Sequence, residues 1–382
     1  MPPSGNKRIN KVADQPQLNP GISGIQAYKG GKSGTRFDGP VYKLSSNESP
    51  LGASPEALAA FSDIARHLEA YPDGSAHDLR EAIATRYGLN RENIVCGAGS
   101  DELLQLLGKA YLRPGDEALY SAHGFLMYKI ITLACGATPV TAPETNLTTD
   151  VDALLAAVTP KTRLVFVANP NNPTGTSLPL DELKRLHAGL ASDVLLVIDA
   201  AYAEFVSAND YEAGVELVSS FKNVVMTRTF SKIYGLASLR VGWAYCPAAV
   251  ADGLNRIRGP FNVSAPAIAA ATAAMKDGNF TDKARTHNDT WRPWLEEQLA
   301  GLGMIVTPSV GNFVLARFAP NKTENGQAET ANAAEAYLAD RGIFVRNMAG
   351  YGLPDALRIS VGSEDGNRAV IKTLAAFIES LP

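Results

Sequence analysis

From about residue 54 onward, short apolar runs alternate with longer stretches that carry helical spacing. The runs fall at 93–96, 118–120, 138–141, 164–168, 194–198, 224–227 and 241–246. They are rich in Val and Leu and lack strict polar alternation, the pattern of strands covered by helices on both faces. Helix candidates lie between them at 100–112, 150–158 and 180–190, the first with Ser100 as N-cap and Asp101 and Glu102 in its first turn. Such alternation predicts an α/β domain around a mostly parallel, seven-stranded sheet. After residue 260 the pattern changes. A long helical region over 265–302, with Trp291 and Trp294, is followed by runs at 312–318, 343–346 and 357–361, a helix over 328–341 and a last helix reaching Leu381. That predicts a smaller α+β domain. Residues 1–20 are polar, with Pro2, Pro3, Pro16 and Pro20, and read as a flexible arm.

Composition narrows the function classes. The 382 residues are 46% hydrophobic and 19% charged, with a net charge of -4 and no charge blocks, so neither nucleic acid nor a membrane is expected as partner. No apolar run is long enough to span a bilayer, and Lys7 and Arg8 are not followed by a secretory apolar stretch. Cys96, Cys135 and Cys246 are far apart and odd in number, which argues against a disulfide framework and for a reducing, cytoplasmic home. No Cys/His spacing suggests a metal.

The chemistry concentrates around Lys232. An apolar run feeds the loop Thr229-Phe-Ser231-Lys232, and Arg240 stands eight residues beyond the lysine. A nucleophilic lysine needs partial desolvation or a nearby cation to lower its pKa and form a Schiff base. Thr229, Ser231 and Arg240 are groups that hold a phosphate beside it. Together they suggest a pyridoxal-phosphate site. Two other motifs fail as nucleotide sites. Gly31-Lys32-Ser33 lacks the glycine a P-loop needs at position 26, where Gln26 stands. Gly97-Ala-Gly99-Ser100-Asp101-Glu102 follows a strand and opens a helix, but Glu102 replaces the last glycine of a dinucleotide fingerprint. A helix N-terminus still binds anions, so Gly99 and Ser100 are expected to form half of a phosphate cup that Ser231 and Arg240 complete. Asp199 ends an apolar run and suits a pyridine nitrogen, keeping it protonated. Asn172, in the turn 169–175, and Tyr202 suit the phenolic oxygen. All should converge beyond the carboxyl ends of the strands.

The ordered set Asn172-Pro-Thr-Gly, Asp199-Ala-Ala-Tyr202, Ser231-Lys232, Arg240 and Leu357-Arg358-Ile-Ser-Val-Gly362 resembles fold-type-I aminotransferases of the aspartate aminotransferase superfamily, from about residue 21 to the C-terminus. Within it, Leu44-Ser-Ser-Asn47-Glu48-Ser-Pro-Leu-Gly52, Tyr71-Pro-Asp73, Gly99-Ser-Asp-Glu-Leu and Tyr351-Gly-Leu-Pro-Asp look most like histidinol-phosphate aminotransferases. The resemblance implies pyridoxal 5'-phosphate, with Gly99, Ser100, Ser231 and Arg240 at its phosphate and Asp101 and Thr229 among the other cofactor-binding residues. Lys232 then forms the Schiff base and Phe125 stacks on the ring, where a tyrosine is common. It implies a homodimer with shared active sites, Tyr71 reaching the neighbouring subunit's phosphate site. Tyr28, Asn47, Arg346 and Arg358 would meet the substrate, Arg358 gripping its acidic group. The bland alternative for Arg346 is a surface salt bridge. Ser49 departs from the asparagine usual there. The chain is expected to divide into an arm (1–20), a large cofactor-binding domain (48–270) and a small domain (21–47 with 271–382). The implied reaction carries the amino group of L-histidinol phosphate to 2-oxoglutarate, giving imidazole acetol phosphate and L-glutamate. An aromatic amino acid (Phe/Tyr) aminotransferase is the nearest alternative. A threonine-phosphate decarboxylase and a non-catalytic ligand-binding module lie further off.

Overall fold

The computed structural model describes residues 16–27, 30–31, 39–64, 66–319 and 326–381. Tyr28 and most of the expected arm (1–15) lie outside them. In chain order the strands are β1 (Tyr42–Lys43), β2 (Ile94–Gly97), β3 (Glu117–Ser121), β4 (Thr138–Ala142), β5 (Glu144–Thr145), β6 (Thr148–Thr149), β7 (Thr162–Ala168), β8 (Leu195–Asp199), β9 (Val224–Thr229), β10 (Gly242–Tyr245), β11 (Ile305–Thr307), β12 (Phe313–Arg317), β13 (Ile343–Phe344), β14 (Arg346–Asn347) and β15 (Ala356–Ser360).

All seven apolar runs enter one sheet, ordered β2-β10-β9-β8-β7-β3-β4. Only β10 runs antiparallel to its neighbours β2 and β9; the other pairings are parallel. The missing alternation in the sequence has a direct cause, because successive side chains point to opposite faces and both faces are covered. Leu164 and Phe166 of β7 join Leu195, Val197 and Val225 in one core. Val165 and Val167 join Leu196, Ile198, Val224 and Met226 in the other. Burying one such side chain, Leu196 for instance, stabilises the fold by about 2 kcal/mol.

A second sheet, β11-β12-β15-β14, is antiparallel and has a separate core, in which Val314, Leu357 and Ile359 meet Val370, Leu374 and Phe377 of the helix Glu364–Glu379. The expected strand over 343–346 divides, β13 pairing with β1 and β14 with β15. Two further expectations are corrected. The helical region 265–302 is two helices, Ala265–Lys276 and Gly278–Gly301. Asp277 breaks it, its carboxylate accepting from the Phe280 backbone N–H at 3.0 Å, as an N-cap acid does. Trp291 and Trp294 pack against the second core, with the Arg368 guanidinium over both rings. Ser100 is also not an N-cap. The helix Ser100–Tyr111 starts at Ser100 itself, and Gly99 precedes it at φ 83, a conformation suited to glycine.

Candidate active site

A cavity of about 380 Å³ lies where the carboxyl ends of β7, β8 and β9 face the second sheet. The parallel register sets Ala168 beside Asp199 and Asp199 beside Thr227. Residues just past these strand ends, Asn172, Tyr202, Ser231 and Lys232, therefore open into one space. The turn after β7 carries two cis X-Pro bonds, Asn169-Pro170 and Asn172-Pro173.

Asp199 is buried, and its carboxylate accepts from the Tyr128 hydroxyl at 2.9 Å and from Thr227 Oγ1 at 3.3 Å. Burial pushes its pKa up to about 6 while those two hydrogen bonds pull down. Tyr128 is itself fully buried and stacks on Phe166 with centroids 4.7 Å apart. Lys232 donates to the Ser46 carbonyl at 3.1 Å. Burial first, then the nearby Arg358 charge, lower its pKa to about 8. An amine so placed has an appreciable neutral fraction near neutral pH, which a nucleophile or base requires.

The expected anion cup is assembled. Arg240 Nη1 donates to Ser231 Oγ at 3.0 Å, and Nη2 to Asp101 at 3.2 Å. A Cβ on Gly99 would overlap the Arg240 guanidinium, so only glycine lets that side chain lie against the helix start. Ser100, Asp101, Thr229, Ser231 and Arg240 all line the cavity. The Thr229 hydroxyl accepts from the Ser231 backbone N–H at 3.0 Å, which fixes the turn before Lys232. Glu102, the residue that spoils the dinucleotide fingerprint, closes the preceding loop. It accepts from the Ala98 N–H at 2.6 Å and from Asn262 Nδ2 at 2.8 Å.

On the opposite wall Arg358 is buried, donating through Nη2 to the Ser45 carbonyl at 2.8 Å and through Nη1 to Asn172 Oδ1. Among the described residues its Nε has no hydrogen-bond partner. Arg346 lies directly across from it in the β14–β15 pairing, and both line the cavity. Asn47, at φ 56, is buried between the two walls. Phe125 lines the cavity edge-on to Tyr128. Tyr71 is not part of this cavity; it is 82% exposed and stacks on Phe261 with centroids 4.6 Å apart.

Sequence reasoning missed Tyr128, Thr227 and the Ser45 and Ser46 carbonyls. Tyr128 stands three residues after Phe125 at the start of a helix, so helical spacing would have put them on neighbouring positions. Backbone carbonyls leave no side-chain signal.

A profile of the family described as aminotransferase class I and II matches residues 40–374. The chain is similar to the histidinol-phosphate aminotransferase of Paramagnetospirillum magneticum, 56% identical over 363 residues that cover 95% of this chain and 99% of that one. Similarity to the enzyme of the same name from Rhodopseudomonas palustris is 55% over 365 residues, again covering 95% and 99%. Among solved structures, the histidinol-phosphate aminotransferase of Sinorhizobium meliloti in complex with pyridoxal-5'-phosphate superposes with a TM-score of 0.83 at 29% identity, over 91% of this chain and 96% of that one. An aspartate aminotransferase from Thermus thermophilus, 21% identical with a TM-score of 0.77 over 89% of this chain and 97% of that one, shares the fold.

Proposed function

The chain belongs to the class I and II aminotransferases, and from that premise we propose that it transfers the amino group of L-histidinol phosphate to 2-oxoglutarate in histidine biosynthesis, giving imidazole acetol phosphate and L-glutamate. One observation carries the choice of donor: the β14–β15 register sets Arg346 opposite Arg358, and both line the cavity. Like charges opposite each other on a sheet repel. A phosphate monoester or a dicarboxylate, each a dianion, offsets that repulsion and suits guanidinium geometry. An aromatic amino acid brings a single carboxylate. The four curated relatives compared at 54–56% identity, each named histidinol-phosphate aminotransferase, weigh against the decarboxylase.

Pyridoxal 5'-phosphate fits the residues present: an acid at one end, an anion cup at the other, Phe125 at the side and an amine of lowered pKa between them. When bound, it supplies an electron sink for the pair left at the donor's α-carbon. Asp199 would hold the proton on the pyridine nitrogen. Asn172 and Tyr202 would donate to the phenolic oxygen, and Gly99, Ser100, Thr229, Ser231 and Arg240, with Asp101 orienting the guanidinium, would hold the phosphate. With the cofactor bound, Lys232 would be the base that moves the donor's α-proton, a role that requires a neutral amine. Arg358 and Arg346 hold the acidic end of donor and acceptor in turn.

The same reading makes the protein a cytoplasmic homodimer. Exposed apolar side chains support the dimer: Leu58, Phe61, Leu68, Tyr71, Ile257 and Phe261 stand on the helix Pro55–Ile64, on the segment after it and around residue 260. Three free cysteines suit a reducing compartment. Residues 48–270 then carry the cofactor groups, and 21–47 with 271–382 the substrate arginines.

Single-turnover absorbance with L-histidinol phosphate and, separately, L-phenylalanine tests the assignment. Fast conversion of the bound cofactor to its amino form by histidinol phosphate alone is expected; preference for phenylalanine would overturn the donor. Lys232→Ala should lower turnover by at least about a thousandfold. Normal turnover in that variant would sink the scheme.

A further inference from the structure

Tyr202 can hold a phenolic oxygen only if its own proton points into the cavity, and the surrounding hydrogen bonds determine where that proton goes. The Asn47 backbone N–H donates to Ser360 Oγ at 2.8 Å, so the serine's one proton must leave in another direction. It meets Asn47 Oδ1 at 2.9 Å. Were the amide turned the other way, Nδ2 would face a hydroxyl proton, and that donor would be left unpaired at a serine only 1% exposed. The amide is therefore fixed with Nδ2 toward Tyr202, and it donates to the phenolic oxygen at 2.9 Å. Asn312 Nδ2 pins the Asn47 carbonyl at 3.0 Å, which holds the backbone in its positive-φ conformation. Tyr202 Oη thus accepts from within the protein. Among the described residues its own proton has no acceptor, and its side chain lines the cavity.

We propose that Ser360 and Asn47 form a hydrogen-bond chain of fixed direction that holds the Tyr202 hydroxyl as a donor into the cavity. Asn47 is then a positioning residue, with no need to touch the substrate. The proposal rests on the cofactor reading above, since the group that receives this proton is the phenolic oxygen. The chain joins the two walls, because Ser360 ends β15 of the second sheet and Tyr202 follows β8 of the first. A donor to a phenolic oxygen makes that oxygen less basic. Losing the donor lets the proton shared between oxygen and Schiff-base nitrogen survive to higher pH.

The test is an absorbance titration of the resting holoenzyme against pH, with no substrate present. Tyr202→Phe should move the colour transition upward by about one pH unit. Asn47→Asp, nearly isosteric, takes the Tyr202 proton instead of donating to it and should match that shift. Ser360→Ala adds no charge, frees the amide to turn, and should move the transition the same way by less. In the double variant with Tyr202→Phe, Asn47→Asp should add nothing further. Simple repulsion from a new carboxylate would add in full, and that outcome overturns the proposal. So does a wild-type transition in both Asn47→Asp and Ser360→Ala while Tyr202→Phe shifts. If Tyr202→Phe itself shows no shift, the cofactor reading fails instead. Should Asn47→Asp not fold, Ser360→Ala decides by the same comparison.

Discussion

On the wall built by the seven-stranded sheet, charged groups meet partners inside the protein: Asp199 takes hydrogen bonds from Tyr128 and Thr227, and Arg240 lies between Ser231 and Asp101. On the wall built by the four-stranded sheet, Arg346 stands opposite Arg358, and Arg358, though it donates to the Ser45 carbonyl and to Asn172, keeps an Nε without an acceptor among the described residues. The first arrangement suits a ligand that stays, because its geometry is set before binding and little reorganisation remains. The second suits ligands that come and go, because two guanidinium groups side by side, one of them with an Nε that no described residue accepts from, gain from an anion whenever one is bound. In the proposed function one cofactor stays and two acidic substrates exchange, and that reading assigns the first wall to the cofactor and the second to the substrates.

The comparison breaks most visibly at Arg358. Arg358→Ala should lower kcat/KM at least about a hundredfold for histidinol phosphate and for 2-oxoglutarate, near 3 kcal/mol, with cofactor affinity changed far less. Arg358→Lys should recover only a small part, because a point charge does not reproduce two parallel N–H bonds. Arg346→Ala should cost about tenfold with histidinol phosphate and almost nothing with phenylalanine. Steady-state kinetics on both donors checks this; equal losses would mean that Arg346 supports the fold and not the phosphate.

The cofactor wall was largely legible in the sequence, whereas the other wall was legible only in part. Lys232, Asp199, Asn172 and Arg240 lie within a few residues of apolar runs, and ligand sites in open α/β sheets gather beyond strand ends, so linear position nearly fixed their convergence. Arg346 and Arg358 were visible as residues, but their opposition depends on antiparallel register, which no local pattern specifies. Ser45 and Ser46 act through backbone carbonyls and carry no signal. Helix boundaries misled at Asp277 because the apolar pattern runs on across it, although an Asp-Gly pair does mark a break. The seven strands of the large sheet were found because continuous apolar runs need no partner to be recognised; β11 and the β5–β6 hairpin, short and partly polar, were not.

A smaller effect separates stability from function on the cofactor wall. Burial raises the Asp199 pKa from its ordinary 3.8 to about 6, so the fold prefers the protonated acid. That preference is present in full below pH 3.8 and is lost as pH rises through about 6. Above that range the ionised carboxylate costs the cofactor-free protein about 3 kcal/mol. Asp199→Asn should therefore raise the melting temperature of the cofactor-free protein by a few degrees above pH 6 and change it little near pH 4. The same variant should bind the cofactor more weakly, as a group kept for function at the expense of stability does. Parallel melting curves across that pH range would show that burial of the acid carries no cost.

The smallest expected effect asks how far the cofactor wall depends on a group that never touches the ligand. Tyr128→Phe removes the hydroxyl that donates to Asp199 at 2.9 Å but leaves the ring stacked on Phe166. One hydrogen bond to a carboxylate is worth about 1.5 kcal/mol, which corresponds to roughly tenfold in cofactor affinity. The loss should appear in equilibrium titration of the cofactor and not in KM for either substrate. Its direction follows from charge: without the donor, the Asp199 pKa climbs further, and less of the carboxylate is ionised to pair with the pyridinium. Affinity should thus fall most at the acid end of the working range and least at high pH, where Asp199 is ionised in either protein. An affinity loss that does not vary with pH would place the role of Tyr128 in shaping the wall, and Thr227 and the Ala201 backbone would then orient the acid.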